Sequence, residues 1–293
     1  MSTRIKIGED GKISPADVFK VRSEADPAGP KVIPLKVVPV FTPPVPEYHQ
    51  SQINMFLKCG LQYEFRYIQG IIVPPQAALT VGGAVDVGVT RNLVQKVKSR
   101  KDLPVSDVLD AFSTEFDARA PETDWEGEDR GEQKDLGARL VKAHHEYLAP
   151  KIQPATVQEK FVIETDAGYN LGGTIDLREE SGIVADTKTS GKRYTEDAIT
   201  GAIQPAIYDF AAEALDGKKP PAFRYDVLLK TKTGGVQQVQ APVTQNDREH
   251  LFRAVDGMHR ALKAGVFLPA AENTWVCSKQ YCGYWHMCKG AKK

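Results

Sequence analysis

Hydrophobic positions in this chain change their period twice. Behind Ser51 as the candidate N-cap, Ile53, Phe56, Leu57, Leu61, Phe65 and Ile68 recur at helical spacing. A second helix is predicted over 77–98. A third carries Val108, Leu109, Phe112 and Phe116, and a fourth carries Leu140, Val141, His144, Tyr147 and Leu148. Cys59 falls in the middle of the first helical stretch, and the acidic, glycine-containing run 122–135 reads as a solvated loop. The period then drops to two. Val157, Glu159, Phe161 and Ile163 alternate as a strand, Asp166 to Gly168 form a turn, and 169–177 and 183–188 read as two further strands. A helix over 195–215 follows, then a hairpin of 223–231 and 236–243 across Gly234-Gly235. A last helix holds Leu251, Val255, Met258 and Leu262. Helices first, a small sheet in the middle and helices around it predict a mixed α/β domain. Residues 1–46, rich in Pro and Val without helical period, read as an extended arm ahead of a folded body over 47–293.

At 293 residues the chain can bury a substantial core. Lys plus Arg and Asp plus Glu both number 38, so the net charge is zero, and any nucleic-acid contact must come from a local basic surface. The first ten residues are charged and polar, with no signal-peptide core. No run of about 18 apolar residues could span a membrane. The expected setting is cytoplasmic, where clustered cysteines hold metal more often than they form disulfides.

Two constellations carry chemistry. Asp186 and Lys188, two apart on a predicted strand, project from one face, and a hairpin brings Asp176 opposite them. Two carboxylates and an ammonium on one patch suit Mg²⁺ or Mn²⁺, with the Thr187 carbonyl as a backbone ligand. An Asp and a Lys so spaced on an exposed face more often form a solvated ion pair. Gln204 and Tyr208, four apart on a helix, share a face and reach one ligand together; on their own they read as a surface Gln and a core-edge Tyr. The second constellation is the whole cysteine complement: Cys59 near the start, and Cys277, Cys282 and Cys288 in the last seventeen residues. Soft thiolates so arranged close an iron–sulfur cubane or a tetrahedral zinc site equally well, and either would tie the two ends of the chain together. Trp275, Tyr281, Tyr284 and Trp285 would shield such a centre, and His286 reads as packing or surface.

Gly172 to Asp176 (G-G-T-I-D), Val184 to Thr189 (V-A-D-T-K-T) and Gln204 to Tyr208 (Q-P-A-I-Y) follow one another in that order. Ser51 to Cys59 and the C-terminal cysteine triplet flank them. In this the chain resembles the PD-(D/E)XK nuclease superfamily over roughly residues 48 to 290. Within it the chain looks like the RecB-like iron–sulfur branch, which includes the fourth CRISPR-associated nuclease family and phage exonucleases. The resemblance implies a restriction-endonuclease-like core, a small mixed sheet flanked by helices, with a helical N-terminal part and a C-terminus clipped by iron–sulfur. It further implies a [4Fe–4S] cluster on Cys59, Cys277, Cys282 and Cys288, and catalytic roles for Asp176, Asp186, Lys188, Gln204 and Tyr208. The metal set would be Asp86, Asp176, Asp186 and Thr187. One departure stands out: relatives usually carry a metal-ligating His where this chain has Asp86.

The implied function is Mg²⁺- or Mn²⁺-dependent hydrolysis of phosphodiester bonds in single-stranded DNA or at DNA ends, as an exonuclease. The alternative is a weak or inactive nuclease-like module that binds DNA or protein. A zinc-stabilised adaptor is a third reading. DNA is the expected partner; relatives that form rings or dimers leave a homo-oligomer or other DNA-processing partners open.

Overall fold

The computed structural model describes residues 3–7, 18–20 and 45–288. Its centre is one mixed sheet built, among those residues, from β1 (Thr3–Ile7), β2 (Val18–Lys20), β3 (Glu47–His49), β4 (Pro154–Thr165), β5 (Asn170–Glu179), β6 (Val184–Ser190), β7 (Phe223–Leu229) and β8 (Gly235–Ala241). The spatial order is β2-β1-β4-β5-β6-β7-β8, with β3 added beside β5. Most of the arm expected over 1–46 lies outside the described residues. Of its described parts, 3–7 and 18–20 are strands: β1 lies parallel to β4, and β2 antiparallel to β1.

Helices cover both faces. One layer holds α1 (Gln50–Lys58), α6 (Ile203–Asp216) and α7 (Gln245–Lys263), whose Ile53, Ile207 and Leu251 join Phe161, Ile163 and Phe223 in a fully buried core. The other holds α3 (Ala77–Ser99), α4 (Val105–Arg119) and α5 (Arg130–Tyr147), which close Val85, Phe112, Phe116 and Leu140 over Ala185 and Leu228. Val227 faces the first layer and Leu228 the second, so all seven residues of β7 are buried. Arg224 and Asp226 are buried within it as an ion pair at 2.8 Å, so this doubly covered strand is a continuous apolar run only over Val227 to Leu229. Each large apolar side chain so buried contributes roughly 1.5–3 kcal/mol. At Gly88 an added Cβ would lie 3.1 Å from the Phe112 side chain, and this absence lets α3 and α4 approach closely.

Three expectations need correction. Cys59 is not inside a helix. α1 ends at Lys58, and Cys59 is extended (φ −163°, ψ 108°) before the short α2 (Gly60–Tyr63) and a π-helical turn over Glu64–Ile68. The cause is tertiary: Gly60 N–H donates to the Leu268 carbonyl at 2.7 Å, and a Cβ there would overlap that backbone. The acidic run 122–135 is only partly loop. Asp129 accepts from the Glu132 N–H at 2.8 Å and starts α5, where acidic residues suit the helix N-terminus. The helix expected over 195–215 is regular only from Ile203. Gly201, at φ +69°, turns the chain and donates its N–H to Asp247 at 2.8 Å.

Candidate active site

The sheet forks where the acidic residues lie. β5 and β6 pair only at Leu177↔Ala185 and Arg178↔Val184, and farther along β5 its neighbour on that side is β3, at Asn170 to Gly172. One step beyond the β5–β6 ladder come Asp176 and Asp186, which the register sets opposite each other on one face. On α3, Leu79, Gly82, Gly83 and Asp86 recur at helical spacing and face the same opening. An open cleft of about 490 Å³ results, lined among others by Asp86, Asp176, Asp186, Thr187, Lys188 and Gln204.

Its electrostatics are those of an overcrowded carboxylate cluster. Asp186 is almost fully buried; its Oδ1 accepts from Gln204 Nε2 at 2.8 Å, and its Oδ2 lies 2.7 Å from Lys188 Nζ. That Oδ2 nevertheless has no well-directed hydrogen-bond donor. Burial, followed by the hydrogen bond and charge of Asp186, pushes the Asp176 carboxyl up to about 9. Burial and then the Asp186 charge push Asp86 up to about 6, against the pull of Lys188 and Arg119. For Lys188, burial works against the charge, but Asp186 outweighs it and the ammonium is raised. Three carboxyl groups with one partnering lysine call for another cation. An all-oxygen donor set with an orphaned buried oxygen fits a hard divalent ion such as Mg²⁺ or Mn²⁺.

Tyr208 is the sequence-selected residue that does not line the cleft. It is buried beneath it, edge-on to Phe161 with ring centroids 6.3 Å apart, and its phenol is raised first by burial and then by Asp176 and Asp186. Glu159, on β4 beside Asp176's strand, is held by Arg178 at 2.6 Å. Two cleft residues escaped the sequence reading. Gln158 donates Nε2–H to Asp176 Oδ1 at 3.1 Å from a left-handed backbone, φ +53°, rare for a residue with a side chain. Its signal was its place across the ladder from Asp176, visible only once the register is known. Lys230, just after β7, lines the cleft with its ammonium lowered by burial; a lysine directly after Val227, Leu228 and Leu229 was the sign.

All four cysteines are free thiols and line a second cavity, with Gln62, Phe65, Tyr284 and Trp285. Ala270 N–H donates to Cys59 Sγ and Gln62 Nε2–H to Cys282 Sγ, both at 3.3 Å. Burial, then the neighbouring thiols, raise the Cys277 pKa. Of the aromatic residues expected to shield this place, Tyr284 is buried and Trp285 lines the cavity. Trp275 and Tyr281 stand 64% and 52% exposed, edge-on to each other, and His286 is exposed. Among the described residues, no group of three or more His, Cys, Asp or Glu side chains is arranged to hold a metal ion as it stands. The thiols share a cavity without being drawn onto a common point.

The sequence profile of the PD-(D/E)XK nuclease superfamily matches residues 49–289. The chain belongs to that superfamily. Among solved structures, the crystal structure of a "putative exonuclease" from Eubacterium rectale is similar in fold. The TM-score is 0.54 at 15% identity, covering 84% of this chain and 89% of that one. No curated protein matches. Among the described residues, no helix is long and apolar enough to cross a membrane.

Proposed function

We propose that this chain is a metal-dependent deoxyribonuclease that hydrolyses phosphodiester bonds of single-stranded DNA or DNA ends as an exonuclease. Asp86, Asp176, Asp186 and the Thr187 carbonyl would hold Mg²⁺ or Mn²⁺. Bound there, the ion supplies a water of lowered pKa and neutralises charge on the scissile phosphate. The chain's own residues do the rest. Gln204 fixes the Asp186 carboxylate through Oδ1, Gln158 fixes Asp176, and Tyr208 packs beneath both. Lys188, on the same strand face as Asp186, is the proposed catalytic cation, orienting the attacking water and meeting negative charge as it develops. The observation that carries this reading is the meeting of Asp86, Asp176, Asp186 and Lys188, from one helix and two strands, in a single cleft. Asp86 stands where a metal-ligating His was expected, and as an oxygen donor it keeps the set hard. The likeness in fold to the Eubacterium rectale putative exonuclease supports the exonuclease part.

The same reading assigns a structural [4Fe–4S] cluster to Cys59, Cys277, Cys282 and Cys288 within a nuclease body over 47–293. Its support is that all four thiols line one cavity. The cluster would close a loop of more than two hundred residues. Anaerobic purification with iron and acid-labile sulfide analysis, followed by digestion of end-labelled DNA with Mn²⁺, tests both parts. Lys188→Ala should lose cleavage while keeping iron and sulfide. Cleavage by that variant at the wild-type rate would end the catalytic assignment, and zinc in place of iron would end the cluster assignment.

A further inference from the structure

The cleft has two unlike walls. Its α3 wall is apolar at the mouth, where Ala78 is exposed, Leu79 is 67% exposed, and Gly82 and Gly83 carry no side chain. The facing wall, from the ends of β6 and β7, presents Thr189 and Lys230. These strands run parallel, so the loops that follow them lie side by side, joined by the Lys230 N–H bond to the Ser190 carbonyl at 2.8 Å. Those loops add Lys192, Arg193 and Lys232, all exposed. Among the described residues none of these four basic side chains is in an ion pair. In a chain of zero net charge, unpaired basic groups gathered at one strand edge mark a place for an anion.

We infer that the cleft takes a single DNA strand edgewise, with its phosphates along Lys230 and the basic loops and a base laid against Leu79. A single strand has one charged edge and one apolar edge, matching the two walls. A duplex hides its bases and shows phosphate on both sides, so the Leu79 wall would gain nothing from it. Lys230 then acts as a positioning residue: Lys188 is already committed to Asp186, whereas Lys230 is partly desolvated and, with Glu128 as a charged neighbour but no ion pair to it, brings its charge to the strand. This rests on the nuclease reading above and adds the residues that would hold the strand.

The test is fluorescence anisotropy on the full chain carrying Lys188→Ala to prevent turnover, with Mg²⁺ present. Three labelled probes serve: a single-stranded oligonucleotide, the same strand with abasic sites, and a blunt duplex. Single strands should bind more tightly than duplex. Leu79→Ser, at an exposed position, should weaken the normal strand several-fold and leave the abasic strand unchanged. Lys230→Gln should weaken both and flatten the dependence of log K on log salt by ~0.7, the value for one phosphate contact on a single strand, with Lys230→Arg restoring it. Equal binding of duplex, equal loss on both single strands in Leu79→Ser, or an unchanged salt slope in Lys230→Gln would overturn the inference. Failure of the catalytic reading is separate: it would show as this binding pattern in a protein that, with Lys188 restored, cuts no DNA.

Discussion

The acidic cleft and the thiol cavity both gather residues from distant parts of the chain, but by opposite means. The cleft is built from regular elements, with Asp86 in the body of α3 and Asp176 and Asp186 on β5 and β6, so sheet register and helix period fix its geometry. What it lacks is charge balance. The thiol cavity is built from irregular backbone, with Cys59 at a helix break and the other three at the ends of hydrogen-bonded turns. It is held by a clasp of hydrogen bonds: Gly60 N–H to Leu268, Gln76 Nε2–H to Gln280 and the Tyr284 hydroxyl to the Ile71 carbonyl. The contrast teaches that the first place is rigid but electrostatically incomplete, while the second is neutral but depends on the tail staying docked.

The largest expected effect separates the two outright. Asp186→Ala removes the carboxylate that Lys188 and Gln204 both engage, and cleavage should fall by at least about 10²- to 10³-fold, with iron and sulfide content unchanged. Kinetics and metal analysis on one preparation check it. Conversely, under the proposed cluster assignment Cys282→Ser should purify without iron and with a lower thermal midpoint, while the fraction still folded keeps the cutting activity of the wild type. If cutting vanishes from a fully folded Cys282→Ser protein, the two regions are not independent.

A smaller effect probes the clasp alone. Gly60→Ala forces a Cβ to within 2.7 Å of the Leu268 backbone and should cost about 1–3 kcal/mol by denaturant titration. Cleft residues are untouched, so activity per folded molecule should hold.

An effect of similar size lies outside both regions, in the acid sensitivity of His144. The raised Asp86 and Asp176 carboxyls shift stability the other way as pH falls, so wild type and the His144 variant are compared at each pH. Burial holds the His144 imidazole down at about 4, against about 6.5 when unfolded. The folded state thus binds fewer protons, so its stability is complete above 6.5 and declines as pH falls from 6.5 through 4. The fully realised loss is about 3 kcal/mol. His144→Leu also removes the unpartnered Nε2 and should flatten this decline in urea midpoints measured between those pH values.

Much of the architecture was readable because it is periodic. The alternation from Val157 to Ile163 and the Gly234-Gly235 turn between β7 and β8 located the sheet, and the order of the three polar motifs set its carboxylates together. What escaped depends on tertiary contact. Nothing local says that α1 should break at Cys59; the Leu268 carbonyl, more than two hundred residues away, decides it. Gln158 reads as an ordinary strand residue until the register places it against Asp176, and Lys230 as a solvated lysine until β6 and β7 lie parallel. Trp275 and Tyr281 looked like shielding because their neighbours in sequence are cysteines, yet turns carry them to the surface.

The central claim is that the forked sheet and α3 make a divalent-cation site that cuts DNA. Its most direct test is digestion of an end-labelled single strand by wild type and by Asp176→Asn, each with Mg²⁺ and with EDTA. Cleavage by the wild type in Mg²⁺ alone, lost in Asp176→Asn at unchanged thermal stability, is the predicted result. Equal cleavage by both proteins, or cleavage that EDTA leaves intact, would contradict it.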